Sequence, residues 1–220
     1  ASSVAVLLEL ASLLHGRANL PVMLAFLDME EVGHFGALAL AKKLARNAGA
    51  IGMVNLEMVG YYSDEPGSQK LRKGMRRLID GDPALLQNLD GERRGDFLLV
   101  IHRKSSAFLA RDLRAGSGQR LPIATLQDPR PEKWGRRLAT MLVPATSNLD
   151  RSDHVPFWKR GIPAIMLCDT AHLRNANYHQ PSDTADTLDY DRIAALTDAI
   201  AHLVERTLAA RDVPASGAPT

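Results

Sequence analysis

The stretch LPVMLAFLDMEE, residues 20–31, decides the fold. Its apolar run predicts a strand over residues 21–27 that is covered on both faces of a sheet. Two adjacent acids, Glu30 and Glu31, follow at the end of this strand, where open α/β sheets place their chemistry. One carboxylate of such a pair can bind a metal while the other handles a proton, although a charged surface turn is an equally simple explanation.

The segments around this stretch alternate between helix and strand. Hydrophobic periodicity predicts a helix over residues 2–15, the strand 21–27, an amphipathic helix over 36–47 and a buried strand over 51–57. This order is the mark of a layered α/β fold. Beyond an irregular, glycine- and proline-rich excursion at 61–95, further strands are predicted at 97–101, 121–126 and 162–168, and helices at 105–114, 153–160 and 190–211.

Composition places the chain among ordinary globular proteins. With 220 residues, 45% of them hydrophobic and 24% charged, it suffices for one α/β domain. We assign residues 1–212 to that domain and the Pro/Ala/Ser-rich residues 213–220 to a flexible tail. The single cysteine, Cys168, excludes an internal disulfide and a thiolate metal cluster, and we expect it to be a small buried residue.

Charge and hydropathy limit the partners. The net charge is +2 and the basic residues are scattered without an aromatic-rich stripe, so a nucleic-acid surface is not favoured. No apolar run is long enough to span a membrane, and no signal peptide is visible. We expect a soluble protein, and both the cytoplasm and export with a missing signal remain open as its compartment.

The start of the chain is unusual for a natural domain. It opens Ala1-Ser2-Ser3, without Met, and enters an apolar helix at once. This pattern predicts that upstream sequence is missing.

Two further side chains can join the glutamate pair. Glu57 ends the second strand, and His179 lies in a polar loop after the strand 162–168. Glu31, Glu57 and His179 would make an oxygen, oxygen and nitrogen ligand set suited to zinc, with Glu30 free as a general base. Each has a plain alternative: Glu57 can cap a turn, and a loop histidine can be solvated.

Two more acids are candidates around such ligands. Asp183 can fix the ring orientation of His179 by accepting a hydrogen bond from the ring nitrogen that does not bind the metal. Asp153, next to His154, can serve the same site or cap the following helix.

At these residues the chain resembles the aminopeptidase-Y and bacterial leucyl-aminopeptidase family of zinc exopeptidases. Residues 26–36, FLDMEEVGHFG, are similar to the family's Glu-Glu block, and residues 55–61, NLEMVGY, to its Asn-Leu-Asp-Met block. The C-terminal blocks run from Ser152-Asp153-His154 through 161–164 to Tyr178-His179 and Asp183-Thr184. The resemblance implies a three-layer αβα fold with a mixed, mostly parallel central sheet, and peptides as substrates.

The resemblance also implies a role for each site residue. Glu30 would be the general base, Glu31 and His179 would bind one zinc ion, and Glu57 would bind the other. We expect the remaining site residues to support the metal or the substrate: Asp153, Tyr178 and Asp183.

The chain departs from the family pattern in two ways. Glu57 stands where the family most often has Asp, which keeps the charge and adds one methylene group. The family's upstream His and its bridging Asp are absent from these residues. We therefore expect an N-terminally incomplete catalytic domain that binds at most one zinc ion, weakly.

Two other functions remain open at this point. A glutaminyl cyclase-like acyltransferase has a similar fold and uses a single zinc ion, but it does not need the block around Glu57. A non-catalytic peptidase-like binding module is the other alternative. The presence together of Glu30, Glu31, Glu57 and His179 argues against it.

Overall fold

Five strands form one sheet in the computed structural model, which describes residues 1–16, 20–46, 49–132, 146 and 149–210. The predicted tail, 213–220, lies outside the described residues. The strands are β1 (Met53–Glu57), β2 (Ile79–Asp80), β3 (Leu98–His102), β4 (Ile123–Gln127) and β5 (Ala164–Cys168), in the spatial order β1-β5-β3-β4-β2.

The sheet is mixed, as the resemblance implies, but it is less parallel than expected. β1 pairs with β5 and β3 with β4 in parallel, whereas β3 against β5 and β2 against β4 are antiparallel. The antiparallel β2 arises within the irregular excursion, where two residues carry too little pattern to predict a strand. Because β1 and β5 are parallel, their carboxyl ends meet at one edge of the sheet.

Helices cover both faces of the sheet, which confirms the three-layer architecture. Alternate side chains of β3 point to opposite faces, so Leu98 and Val100 belong to one core and Leu99 and Ile101 to the other. The first core is covered by α1 (Ser2–Leu14), α4 (Ala107–Ser117) and α6 (Tyr190–Ala209), and the second by α2 (Phe35–Arg46), α3 (Pro83–Asp90) and α5 (His154–Trp158).

The predicted strand at residues 21–27 is wrong for this structure. These residues have no strand pairing, and Met23 and Phe26 are 60% and 57% exposed. An apolar cavity of about 590 Å³ is lined by residues 21–27 and by residues 49–56, which include most of β1. The predicted burial is also wrong, since none of these seven residues is buried, and a strand needs a hydrogen-bonded neighbour that they do not have in the described structure.

The other predicted elements are present, with bounds shifted by a few residues. The strand predicted at 51–57 begins at Met53, and the helix predicted at 190–211 ends at Ala209. Cys168 is buried at the end of β5, as predicted, and burial raises the pKa of its thiol to about 12. None of the helices in the described ranges is long and apolar enough to cross a membrane.

Candidate active site

The turn that carries the two glutamates is built by an unusual backbone. Met29 and His34 have positive φ angles of 55° and 59°, which non-glycine residues rarely adopt. The turn closes where the Gly36 amide donates to the Asp28 carbonyl at 3.2 Å. A Cβ at Gly36 would lie 2.8 Å from Asp28 Oδ1 and 2.9 Å from its amide nitrogen, so only glycine fits. The strained turn fixes the direction in which the glutamates leave the chain.

A short chain of hydrogen bonds holds Glu57 at the end of β1. Asn55 Nδ2 donates to Ser152 Oγ at 2.7 Å, and Ser152 Oγ donates to Glu57 Oε2 at 2.5 Å. Asn55 and Ser152 are both buried. Because a hydroxyl has one proton, accepting from Asn55 directs that proton of Ser152 to Glu57. The loop before α5 is thereby tied to the carboxyl end of β1.

Four acids interact electrostatically at this edge of the sheet. Partial burial and then the charges of Glu57, Glu31 and Asp153 raise the pKa of Glu30 to about 7, and Arg151 opposes the shift. Burial also raises the pKa of Glu57, although the Ser152 hydrogen bond lowers it. The pKa of Asp153 is raised mainly by burial. The positively charged residues described around these four acids therefore do not neutralise the negative charge of the cluster.

Two observations indicate that this cluster suits a cation. Asp153 Oδ1 is buried and has no hydrogen-bond partner among the described residues. Glu30, the candidate general base, has only a weak ion pair in the described structure, because His34 Nε2 lies 3.5 Å from Glu30 Oε1. Carboxylate oxygens are ligands for divalent ions, zinc among them. The donor chemistry of these residues therefore fits a metal.

The ligand shell in the described part of the chain is nevertheless incomplete. No three His, Cys, Asp or Glu side chains of those residues lie close enough together to hold a metal ion. The expectation that further ligands lie outside these 220 residues stays a prediction.

The C-terminal candidates lie around Tyr178. Partial burial raises the pKa of Tyr178, and so do the negative charges of Glu31 and Glu57. His179 is exposed and stacks on Tyr178 with ring centroids 4.0 Å apart. The side-chain hydrogen bond seen at Asp183 comes from Asn175 Nδ2 at 3.4 Å, so the orientation of His179 by Asp183 stays a prediction.

Glu30, Glu31, Glu57, Asp153 and Tyr178 thus influence one another electrostatically, and His179 stacks on Tyr178, but no three of the predicted ligands come together among the described residues. Sequence reasoning missed three polar residues of the site. They are Asn55 and Ser152, which hold Glu57, and His34, which faces Glu30. The position of His34 four residues after Glu30 was a local signal, whereas Ser152 is 95 residues from its partner.

The sequence model of peptidase family M28 matches residues 1–86 and 84–204. The chain belongs to peptidase family M28. The assignment to a zinc-exopeptidase-like family made from the sequence blocks is therefore confirmed.

Known proteins resemble this chain in sequence and in fold. It is 34% identical over 212 residues to the uncharacterized protein YfbL of Escherichia coli (strain K12), covering 93% of this chain and 57% of YfbL. LapA aminopeptidase of Legionella pneumophila superposes with a TM-score of 0.55 at 15% identity, over 99% of this chain and 46% of LapA. An aminopeptidase from Aneurinibacillus sp. strain AM-1 superposes with a TM-score of 0.55 at 23% identity. The match covers 94% of this chain and 38% of that aminopeptidase.

These matches carry two conclusions. The two solved structures show the likeness of the fold, which agrees with the mixed sheet and its helices. The chain spans about half the length of the proteins that it matches.

Proposed function

We propose that these residues belong to the catalytic domain of a metallo-aminopeptidase, which removes residues from the N-termini of peptides. The convergence of Glu30, Glu57 and Asp153 at the carboxyl end of β1, in a chain of family M28, carries the proposal. Both of the solved structures described above are aminopeptidases, which supports the exopeptidase class.

Each residue of the site has a task in this proposal. Glu31, Glu57 and His179 would hold zinc, with two ions in the complete site. A bound zinc ion would lower the pKa of a water molecule and polarise the peptide carbonyl. Glu30 would accept a proton from the attacking water and donate it to the leaving amine. Ser152 and Asn55 keep one oxygen of Glu57 fixed, and Tyr178 and Asp153 border the substrate space.

The site is proposed to be completed by residues outside the 220. The described residues do not form a metal-binding group of three, and the chain covers 57% of YfbL. The upstream His and bridging Asp implied by the resemblance would then lie in the remaining part of the polypeptide. On this proposal the 220 residues are one part of the catalytic domain.

Product analysis on three peptides tests the function. The protein, made from its complete reading frame and loaded with zinc, is incubated with a peptide that has a free N-terminus, with its N-acetylated form and with a peptide that begins with Gln. We expect free amino acids from the first and third peptides and none from the acetylated one.

Two other results would contradict the proposal. Loss of ammonia from the Gln peptide, with cyclisation and without release of an amino acid, would identify a glutaminyl cyclase-like acyltransferase. Tight zinc binding without turnover of any of the three peptides would identify a binding module.

A further inference from the structure

A doubly paired arginine holds the loop of residues 149–153, which leads into α5. Arg130 is 4% exposed and follows the end of β4 by three residues. Its Nε and Nη2 atoms donate to the two carboxylate oxygens of Asp128 at 2.8 and 2.9 Å. Its Nη1 and Nη2 atoms donate to the two oxygens of Asp150 at 2.5 and 3.0 Å. One buried guanidinium thus joins two buried carboxylates, and we call these three residues the Arg130 clamp.

The side of the clamp near β4 is fixed to the sheet and to α5. The Asp128 amide donates to the His102 carbonyl, at the end of β3, at 2.8 Å. Arg103 Nε lies 3.4 Å from Asp128 Oδ2, and the Arg103 guanidinium lies 4.4 Å from the centroid of the Trp158 ring. Asp128 is therefore a firm support for Arg130, because two elements hold it.

The other side of the clamp leads to Glu57. Asp150 comes two residues before Ser152, whose Oγ donates to Glu57 Oε2 at 2.5 Å. Two residues extend over at most about 7 Å, so they can absorb little of a displacement of Asp150. The place of the Ser152 hydroxyl therefore depends on Asp150 and, through it, on Arg130.

The clamp acts on the acids from the far side of the sheet. β4 is parallel to β3, and β3 is antiparallel to β5, whose carboxyl end lies at the acid cluster. β4 accordingly ends at the opposite edge. The physical route from Arg130 to the acids is therefore the loop of residues 149–153.

Stability alone is a poor reason for such a clamp. Burial of one guanidinium and two carboxylates removes their hydration, which offsets much of the attraction between them. Two bidentate pairs do fix both distance and angle, because the guanidinium is planar and its donors form a rigid fork. The clamp is therefore suited to holding the loop in one position.

We propose that Arg130 is a positioning residue for the metal site. It holds Asp150, which sets the place of Ser152, and Ser152 in turn orients Glu57. The inference rests on the proposed metallo-aminopeptidase function, because it concerns the zinc ion that Glu57 would bind. Arg130 is not a ligand in this proposal, but it governs zinc affinity as groups behind a ligand commonly do.

The zinc affinity of Arg130→Lys, in the protein made from its complete reading frame, tests the proposal. Lysine keeps the positive charge, but its single ammonium group cannot bond both oxygens of two carboxylates. A calorimetric titration should show a zinc affinity at least about tenfold below that of the wild type. Arg76→Lys is the matched control, since Arg76 bonds both oxygens of Asp90 at 2.8 and 2.6 Å, and it should bind zinc as the wild type does.

Combination with Ser152→Ala separates positioning from a general loss of stability. If Arg130 acts through Ser152, Arg130→Lys has little left to change once the hydroxyl is gone. The double variant should then bind zinc within about twofold of Ser152→Ala alone. A stability effect would instead lower zinc affinity by the same factor in both backgrounds.

Asp150→Asn replaces Arg130→Lys if that variant does not fold, because asparagine keeps the shape of the side chain and weakens its pairing with Arg130. Wild-type zinc affinity in the variant used would overturn the proposal, and so would independent effects in the double variant. A protein that binds zinc but cleaves no peptide would refute the peptidase activity, while the coupling between Arg130 and Ser152 would still decide this proposal. A wild-type protein that binds no zinc would refute both.

Discussion

At Glu57, a single hydroxyl decides how the carboxylate faces the site. Ser152 Oγ donates to Glu57 Oε2, and Asn55 holds that hydroxyl in turn. This leaves the other carboxylate oxygen of Glu57 for a ligand. Groups that orient a ligand from behind commonly change metal affinity by about 10- to 100-fold when they are removed.

Ser152→Ala should therefore weaken metal binding in the zinc-loaded protein by about 10- to 100-fold. The alanine removes the donor that lowers the pKa of Glu57 and lets its carboxylate turn. A calorimetric titration with zinc measures the affinity. Ser182→Ala, at an exposed serine, is the control and should bind as the wild type does. Unchanged affinity in Ser152→Ala would show that Glu57 needs no such support.

Without the family resemblance, the sequence indicates site residues most directly where an acid follows an apolar run. Glu30, Glu31 and Glu57 have that position, and each lies at the acid cluster. Ser152 and Asn55 do not, because their partners are chosen by the fold across about a hundred residues of chain. The strained turn before α2 also carries no local pattern beyond Gly36.

Among the elements, α5 depends on a buried histidine. His154 Nε2 lies 2.8 Å from the Leu149 carbonyl, and the ring meets Trp158 edge-on with centroids 4.4 Å apart. Nδ1 is buried with no partner in the described residues. A neutral ring that donates from Nε2 suits this place, whereas protonation would bury an unpaired N–H and a charge. Burial accordingly lowers the pKa of His154 to about 4.

Acid should therefore loosen α5. The folded-state pKa of His154 is below its unfolded value of about 6.5, so its contribution is complete above pH 6.5 and is lost as the pH falls towards 4. The full loss amounts to about 3 kcal/mol in the free energy of unfolding. Urea unfolding at several pH values in this window should show a smaller pH slope in His154→Phe than in the wild type.

The exposed His202 supplies the matched control for this element. His202→Gln should keep the wild-type slope between pH 6.5 and 4. Equal slopes in His154→Phe and the wild type would mean that His154 titrates normally in the folded protein.

The elements also show that sequence patterns do not predict strand pairing. Residues 21–27 have the composition of a buried strand, yet pairing depends on a neighbour that composition does not name. The two residues of β2 were missed because pairing with β4, and not their own pattern, makes them a strand. Helices were easier to predict, since their hydrogen bonds lie within one segment.

For the molecule as a whole, strand direction determines where chemistry is possible. β1 and β5 end at the edge that holds the acid cluster, and β3 runs antiparallel to β5, so its carboxyl end lies at the opposite edge. The alternation of helix and strand predicted the three layers. It did not predict the direction of β3 relative to β5, which long connections set. Family M28 and the acid cluster together make Glu30 the residue on which the proposed activity rests most directly.

Hydrolysis by Glu30→Gln, in the zinc-loaded protein made from its complete reading frame, tests this claim. The amide cannot accept a proton from water, so turnover of a free N-terminal peptide should fall at least about a hundredfold while zinc content stays at the wild-type value. Glu65→Gln, at an exposed glutamate, should keep full activity. Wild-type turnover by Glu30→Gln at equal zinc content would contradict the account.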